Sequence, residues 1–186
     1  MTTKNSHDAL KKPQPVNNGK AVCRITGICI SIAVLLTDQL SKWHVTENII
    51  SKHLPDINSL DFIGWYINKP DMLPYTQIRI TDFFNIVMAW NTGVSFSMLN
   101  GLGQFAPYIL VSIALIITAL FTYWLWKAEK PAYVTGYALV IGGAMGNVID
   151  RVRFHAVIDF LDFHAYEYHW PAFNVLIWLW LRELPC

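Results

Sequence analysis

The segment FAPYILVSIALIITALFTYWLW, residues 105–126, contains no charged side chain. As a helix it is long enough to cross a hydrocarbon core of roughly 30 Å. Two further apolar stretches, 25–40 and 132–149, have a similar character. The whole chain is 54% hydrophobic and 15% charged, whereas soluble domains carry about 25% charged residues. We therefore predict a multi-pass membrane protein.

Four segments are apolar enough to enter a membrane, and we predict spans at about 25–45, 105–126 and 132–149, with a partial fourth at 172–181. The fourth would rise only about 15 Å as a helix. Residues 1–24 are expected to form a flexible basic lead, and 25–186 a single transmembrane domain with an extramembrane β-rich segment at 76–100. The first span is interpreted as a retained helix because no small-x-small cleavage site follows it.

Basic residues are concentrated before the first span and in the turn between the next two, at Lys4, Lys11, Lys12, Lys20, Arg24, Lys127 and Lys130. Loops rich in lysine and arginine tend to remain in the cytoplasm. We therefore expect a cytoplasmic N-terminus, with the 38–104 and 150–170 regions together on the outer face. The net charge of +1 offers no broad basic field for nucleic acid.

The stretch GGAMGNVIDRVRFHAVIDF combines small residues with polar ones. Gly142 and Gly146 are four residues apart, a spacing that lets a second helix approach closely. Asn147, Asp150 and Arg151 follow on one helix face. Ionisable groups at membrane depth are costly and often functional. The alternative is that Asp150 and Arg151 form an interfacial anchor that ends the span.

Asp159 stands between apolar neighbours in AVIDFLDF. Burial disfavours the charged form of a carboxyl group and so raises its pKa. A raised pKa suits a general acid or base that works near neutral pH. The alternative is a short outward strand with the Asp159 carboxylate in water, and Asp162 fits that alternative better.

Three smaller features have structural explanations. Asp38 and Lys42 are one helical turn apart, so we expect an ion pair that braces the outer end of the first span. Asn91 and Gly93, in WNTGVSF, form either a plain turn or an amide that holds an extended peptide. The histidines of the 155–169 region match no helical zinc motif. We predict no metal and no cofactor.

Taken in order, four stretches resemble the lipoprotein signal peptidases (signal peptidase II), membrane aspartyl proteases of bacteria: DQLSK at 38–42, FFNIVMAWNTGVSFSML at 83–99, GGAMGNVIDRVRFHAVIDF at 142–160 and WPAFN at 170–174. The resemblance implies an all-α polytopic membrane protein with four helices, the fourth truncated here, and a small β-cradle on the outer face. It also implies a protein of the bacterial inner membrane.

The resemblance implies hydrolysis of the signal peptide of a diacylglyceryl-modified prolipoprotein, just before the modified cysteine. The expected partners are these prolipoproteins and membrane lipids, and the chain is expected to act as a monomer without cofactors. Positions matched to substrate binding or support of the site are Asp38, Lys42, Asn91, Gly93, Asn147, Asp150, Arg151 and Asn174.

The resemblance further implies two catalytic aspartates, one of which matches Asp159. The other follows the asparagine of the fourth motif in the pattern F-N-x-A-D, where this chain has Leu176 and Ile177. Two close carboxylates share a proton, so that one activates water while the other protonates the leaving group. Asp159 alone lacks the opposing acid. We predict that the chain as written is inactive or nearly so.

Two other functions use the same residues. A catalytically dead relative would bind prolipoproteins through Asn91, Asn147 and Arg151 without cutting them. A proton-coupled transporter would use the buried carboxylates as a relay. It should also carry polar residues near mid-span, where the 105–126 segment offers only Ser112 and Thr118.

The departure from the family begins after Val175, and we interpret it as a single-base loss near codon 176. Every isoleucine codon begins with AT, so a Leu176 codon ending in G yields GAT, an aspartate codon, in the shifted frame. With one choice of synonymous codons, the shifted frame encodes Ala-Asp-Leu-Ala-Val-Val-Thr-Gly-Val-Ala-Leu. This sequence restores F-N-V-A-D and begins an apolar fourth helix.

The DNA sequence across codons 170–190 tests this interpretation. We expect its alternate frame to encode Ala-Asp followed by an apolar continuation. An unambiguous sequence whose alternate frame lacks these features would contradict the frameshift.

Overall fold

The computed structural model describes residues 18–55, 57–93, 105–170 and 172–174. Three helical segments in this part of the chain are long and apolar enough to cross a membrane: Gly19–His53, Ala106–Lys127 and Pro131–Phe154. The α-helices are α1 (Asn18–Trp43), α2 (Phe62–Asn68), α3 (Ala106–Lys127) and α4 (Pro131–Phe154). α4 packs against both α1 and α3.

A small antiparallel sheet forms where α4 ends. Its strands are β1 (Gln77–Arg79), β2 (Phe84–Asn91), β3 (Val157–Ala165) and β4 (Tyr168–His169), in the order β1-β2-β3-β4. Only two residues, His155 and Ala156, lie between the end of α4 and the start of β3. The predicted class, a helical polytopic membrane protein with a small β-cradle, is confirmed.

The apolar core of the extramembrane part lies between the sheet and the extension of α1. Its most buried members, none more than 4% exposed, are Ile50, Trp65, Met88, Phe154, Ile158 and Phe160. Aromatic rings account for much of the contact; the ring centroids of Trp90 and Phe154 are 5.2 Å apart. Such burial is the main favourable contribution to folding, and here it fastens β2 and β3 to the end of α4.

The first spanning helix is longer than the predicted 25–45. It continues from α1 as a π-helical segment, His44–Ile50, and a 3₁₀ turn, Ser51–His53. The 49–75 region therefore begins in helix. It also contains α2, whose N-terminus is capped by Asp61 through a 2.9 Å hydrogen bond from the backbone N–H of Gly64.

The lead predicted to be flexible over 1–24 is helical from residue 18. Two contacts hold this end of α1 against the α3–α4 turn. Lys20 forms a 2.7 Å ion pair with Glu129, and the Arg24 Nε donates to the Trp126 carbonyl at 3.1 Å. Residues 1–17 lie outside the described part of the chain.

Two other predicted segments are described only in part. The β-rich segment 76–100 contains β1 and β2, and its residues 94–100 lie outside the described ranges. Of the partial fourth helix 172–181, the described residues 172–174 are not helical, and Phe173 pairs with Leu161 of β3. The remainder of that segment, like Ile177, lies outside the described residues.

The close approach predicted from Gly142 and Gly146 is confirmed, and the partner is α1. A Cβ atom at Gly142 would lie 2.6 Å from the Ser31 carbonyl oxygen and 2.8 Å from the Val34 Cβ. A Cβ atom at Gly146 would collide with the Asp38 carboxylate. Glycine at these positions therefore lets the polar residues of α1 and α4 meet.

We expect Gly142→Ala to lower the unfolding temperature of the detergent-solubilised protein by roughly 3–10 °C, since overpacking costs about 1–3 kcal/mol. The measurement is thermal unfolding followed by intrinsic fluorescence. Gly136→Ala is the matched control on the same helix, because nothing lies within 4 Å of its added Cβ. It should be neutral or slightly stabilising. Equal effects of the two substitutions would contradict the close packing.

Candidate active site

Asp159 lies near the start of β3 and is held from both sides of that strand. On one side β2 runs antiparallel to β3. On the other, Phe173 pairs with Leu161 of β3 through N–H to O=C bonds of 3.1 and 2.8 Å. The β2–β3 pairing brings Asn91, the last residue of β2, to the Asp159 carboxyl group. The Phe173–Leu161 pairing brings Asn174, which follows Phe173, to the same group.

Each oxygen of the Asp159 carboxyl group accepts one amide hydrogen bond. The Asn91 Nδ2 donates to Oδ2 at 2.9 Å, and the Asn174 Nδ2 donates to Oδ1 at 3.2 Å. Asp159 is only 3% exposed. The burial predicted for Asp159 is therefore confirmed, and the alternative of an outward strand with this carboxylate in water is wrong.

Burial raises the pKa of Asp159 from 3.8 to about 6. The hydrogen bond from Asn91 is the largest opposing effect, followed by the positive charge of Lys42. Because the native pKa is higher than that of the unfolded chain, this carboxyl group favours the folded state most below about pH 4. That contribution is lost as the pH rises through about 6.

Gly93 fixes the direction in which the Asn91 amide points. Its backbone N–H donates to the Asn91 Oδ1 at 2.8 Å, so the Nδ2 is the atom that faces Asp159. Gly93 has φ of 82°, a conformation that glycine adopts without strain. A Cβ atom there would also collide with Leu110 of α3. The described part of this stretch thus directs the Asn91 amide to Asp159, and its holding of an extended peptide stays a prediction.

Two amides connect Asp159 to a buried cationic centre. Asn174 Nδ2 also donates to the Asn147 Oδ1 at 3.2 Å. The same Asn147 oxygen accepts a longer bond, 3.5 Å, from the Lys42 Nζ. The polar side chains of α1 and α4 are therefore continuous with those around the β3 carboxyl group.

Lys42 lies between two carboxylates from different helices. Its Nζ is 2.8 Å from Asp38 Oδ2 and 2.6 Å from Asp150 Oδ2, and all three side chains are completely buried. The predicted Asp38–Lys42 ion pair is confirmed. Gln39, which sequence reasoning missed, donates its Nε2 to both carboxylates at 3.1 Å. Its position beside Asp38 in DQLSK was the available signal.

The alternative of an interfacial anchor formed by Asp150 and Arg151 is wrong for Asp150, which is fully buried. Helical neighbours point in different directions, and Asp150 turns inward to Lys42. Its Oδ2 also accepts from the backbone N–H of Ile158 at 3.3 Å, one residue before Asp159. Arg151 lies near enough to Asp159 for its charge to lower the pKa of that carboxyl group, as a minor contribution.

Asp162 is buried, contrary to the expectation that it faces water. It is 4% exposed and accepts hydrogen bonds from Asn85 Nδ2 at 2.8 Å and from His169 Nδ1 at 2.9 Å. Because it is three residues from Asp159 on a strand, it faces the opposite side of the sheet. In the described part of the chain, no group of three or more His, Cys, Asp or Glu side chains is arranged to hold a metal.

The sequence profile of the signal peptidase (SPase) II family matches residues 30–176. The chain belongs to this family. The matched range contains every described residue of the candidate site and stops one residue before Ile177.

Similar proteins include the lipoprotein signal peptidase of Vibrio vulnificus, 36% identical over 165 residues, which are 85% of each chain. The lipoprotein signal peptidase of Ralstonia nicotianae is 46% identical over 98 residues, 52% of this chain and 56% of that protein. That of Vibrio parahaemolyticus is 43% identical over 101 residues, 53% of this chain and 60% of that protein. The matched residues thus span 56% of the Ralstonia nicotianae protein and 60% of the Vibrio parahaemolyticus protein.

Two solved structures described as bacterial membrane enzymes have the same fold. Their TM-scores are 0.59 and 0.60, at 22% and 23% identity. The similarity covers 85% of this chain and 82% and 86% of theirs. Together with the three apolar helices, this shared fold indicates an integral membrane protein.

We expect Asn91→Ala to raise the pKa of Asp159 above its value of about 6, because the ionised carboxyl group loses a hydrogen-bond donor. Infrared titration of the carboxyl band measures this pKa, and Asp159→Asn identifies the band. Asn85→Ala is the control, since Asn85 is on the same strand but donates to Asp162. An Asp159 midpoint that is unchanged by Asn91→Ala would contradict the hydrogen bond.

Proposed function

We propose that this chain has the framework of an aspartic endopeptidase of the bacterial inner membrane. The substrate that this framework fits is a diacylglyceryl-modified prolipoprotein, cut just before the modified cysteine, and Asp159 is the one carboxylate of the catalytic pair that this chain supplies. The observation that carries the proposal is the buried Asp159, with one amide donor on each oxygen. Membership of the signal peptidase II family supports it.

The surroundings of Asp159 suit proton transfer near neutral pH. With a pKa of about 6, the carboxyl group is mostly ionised at pH 7 yet basic enough to take a proton from water. An ionised carboxylate offers about four lone-pair sites. One amide bond on each oxygen therefore leaves room for a water molecule and for a partner acid.

The partner acid corresponds to position 177, where isoleucine cannot transfer a proton. Asp150 is a poor substitute, because it already binds Lys42, Gln39 and the N–H of Ile158. We infer that the chain as written binds prolipoproteins but scarcely cleaves them. A single-base loss near codon 176 accounts for the change, and the restored frame supplies the missing aspartate.

The proposed orientation has the N-terminus in the cytoplasm and the sheet with Asp159 on the outer face. The basic residues at the other end of the helices support it, since Lys20, Arg24, Lys127 and Lys130 all lie there. In this orientation Asp159 meets the signal peptide where it leaves the outer surface of the membrane.

Cleavage of a diacylglyceryl-modified precursor in proteoliposomes tests the proposal, with the product separated by gel mobility. We expect the frame-restored chain to cleave and the chain with Ile177 to be slower by about 10²–10⁴-fold, the usual contribution of a general acid or base. Asp159→Asn in the restored chain should cause a comparable loss. Asp162→Asn is the matched control on the opposite face of β3 and should retain most of the activity.

Two outcomes would contradict the mechanism. Cleavage at an ordinary rate by the chain with Ile177 would show that the acid pair is not needed. Cleavage by the restored chain carrying Asp159→Asn would show that Asp159 has another role. Co-purification of uncut precursor with the chain as written is the expected result, because that chain is inferred to bind prolipoproteins without cutting them.

A further inference from the structure

The turn between α3 and α4 borders a cavity of about 460 Å³ that is open to the surface, at the opposite end of α4 from Asp150. The 24-residue α4 separates the two ends by roughly 35 Å at about 1.5 Å per residue. The cavity is lined by two lysines, a glutamate and three aromatic rings: Lys127, Lys130, Glu129, Trp124, Tyr133 and Tyr137. The proposed chemistry of Asp159 does not require this arrangement.

The aromatic rings form one continuous wall of the cavity. Tyr133 and Tyr137 are stacked, with centroids 6.2 Å apart and planes at 19°. The Tyr137 centroid is 6.0 Å from that of Trp124. Trp124 and Tyr133 are also partly exposed, at 40% and 54%. Exposed tryptophan and tyrosine at the end of spanning helices are typical of the level of the lipid headgroups.

The charges at the cavity are unbalanced in favour of an anion. Its only carboxylate among the described residues, Glu129, is already paired with Lys20 at 2.7 Å. Within the described ranges, neither Lys127 nor Lys130 forms an ion pair with a carboxylate. Their Nζ atoms lie instead over aromatic rings, 4.3 Å from the centroid of Tyr123 and 5.8 Å from that of Tyr133. The Lys127 Nζ also donates a hydrogen bond to the Tyr123 hydroxyl. Since no described carboxylate neutralises Lys127 or Lys130, the positive charges of both can attract a ligand that is negatively charged.

We propose that this cavity binds the headgroup of an anionic phospholipid. The cavity lies at the end of two spanning helices, so membrane lipids are adjacent to it. Basic pockets between such helices bind anionic headgroups. The lysines attract the phosphate, and the aromatic wall contacts the glycerol and the first part of the acyl chains. A zwitterionic lipid binds less well, because its ammonium group adds positive charge beside Lys127 and Lys130.

Anisotropy of fluorescent phosphatidylglycerol tests the proposal, with the full chain in nonionic detergent and fluorescent phosphatidylcholine for comparison. We expect phosphatidylglycerol to bind about tenfold more tightly or better, because the two lysines attract its net negative charge. The double substitution Lys127→Gln and Lys130→Gln should abolish this preference. Arginine at both positions should keep it, because the charge remains.

The matched control is Lys52→Gln with Lys69→Gln, which removes the same charge from two exposed lysines at the other end of the helices. It should retain the preference, and unfolding temperatures verify that all variants fold. Equal binding of the two lipids, an equal loss in the control, or an unchanged preference in the Lys127 and Lys130 double variant would overturn the proposal. Displacement of phosphatidylglycerol by millimolar inorganic phosphate would also overturn it, by indicating a general anion site.

Discussion

The buried ion pairs of Lys42 are the constraint on which the rest of the structure depends. Lys42 and Asp38 belong to α1, whereas Asp150 belongs to α4, and none of the three is exposed. Removing one partner of a buried pair costs about 3–5 kcal/mol, because it leaves an uncompensated charge. Two helices joined in this way cannot slide or rotate past each other by even one residue without separating these charges.

The packing around the ion pairs explains why small residues accompany the charged ones. Lys42 reaches Asp150 only because α1 and α4 are in close contact, and Gly146 makes room for the Asp38 carboxylate. The N–H of Ile158 donates to Asp150 and so ties the start of β3 to the same centre. The position of Asp159 thus follows from helix packing as much as from the pairing of strands.

Sequence reasoning succeeded where a feature depends on neighbours along the chain. The Asp38–Lys42 pair follows from a spacing of four residues. The burial of Asp159 follows from its apolar neighbours, and the helical class from long uncharged stretches. These features need no knowledge of which segments meet, and each can be derived from a short piece of sequence.

Sequence reasoning failed where segments that are distant in the sequence meet in the structure. Nothing near Asp150 in the sequence indicates that Lys42, 108 positions away, binds it. Asp162 was expected in water, because nothing near it in sequence indicates that Asn85 and His169 would cover it. The extension of α1 to residue 53 was also missed, since its polar residues resemble a loop until the fold buries Thr46, Glu47 and Ser51.

Asn91 and Asn174 hold Asp159 in a chain that has isoleucine at 177, so the proposed loss of an aspartate at that position removes the chemistry while leaving these contacts intact. Asp159 then titrates as a single group, with a pKa of about 6. A second carboxyl group beside it would make the two share a proton, and the apparent pKa values would belong to the pair. One would fall and the other would rise, because the first ionisation opposes the second. The lone Asp159 is therefore the reference against which the coupling of the restored acid pair can be measured.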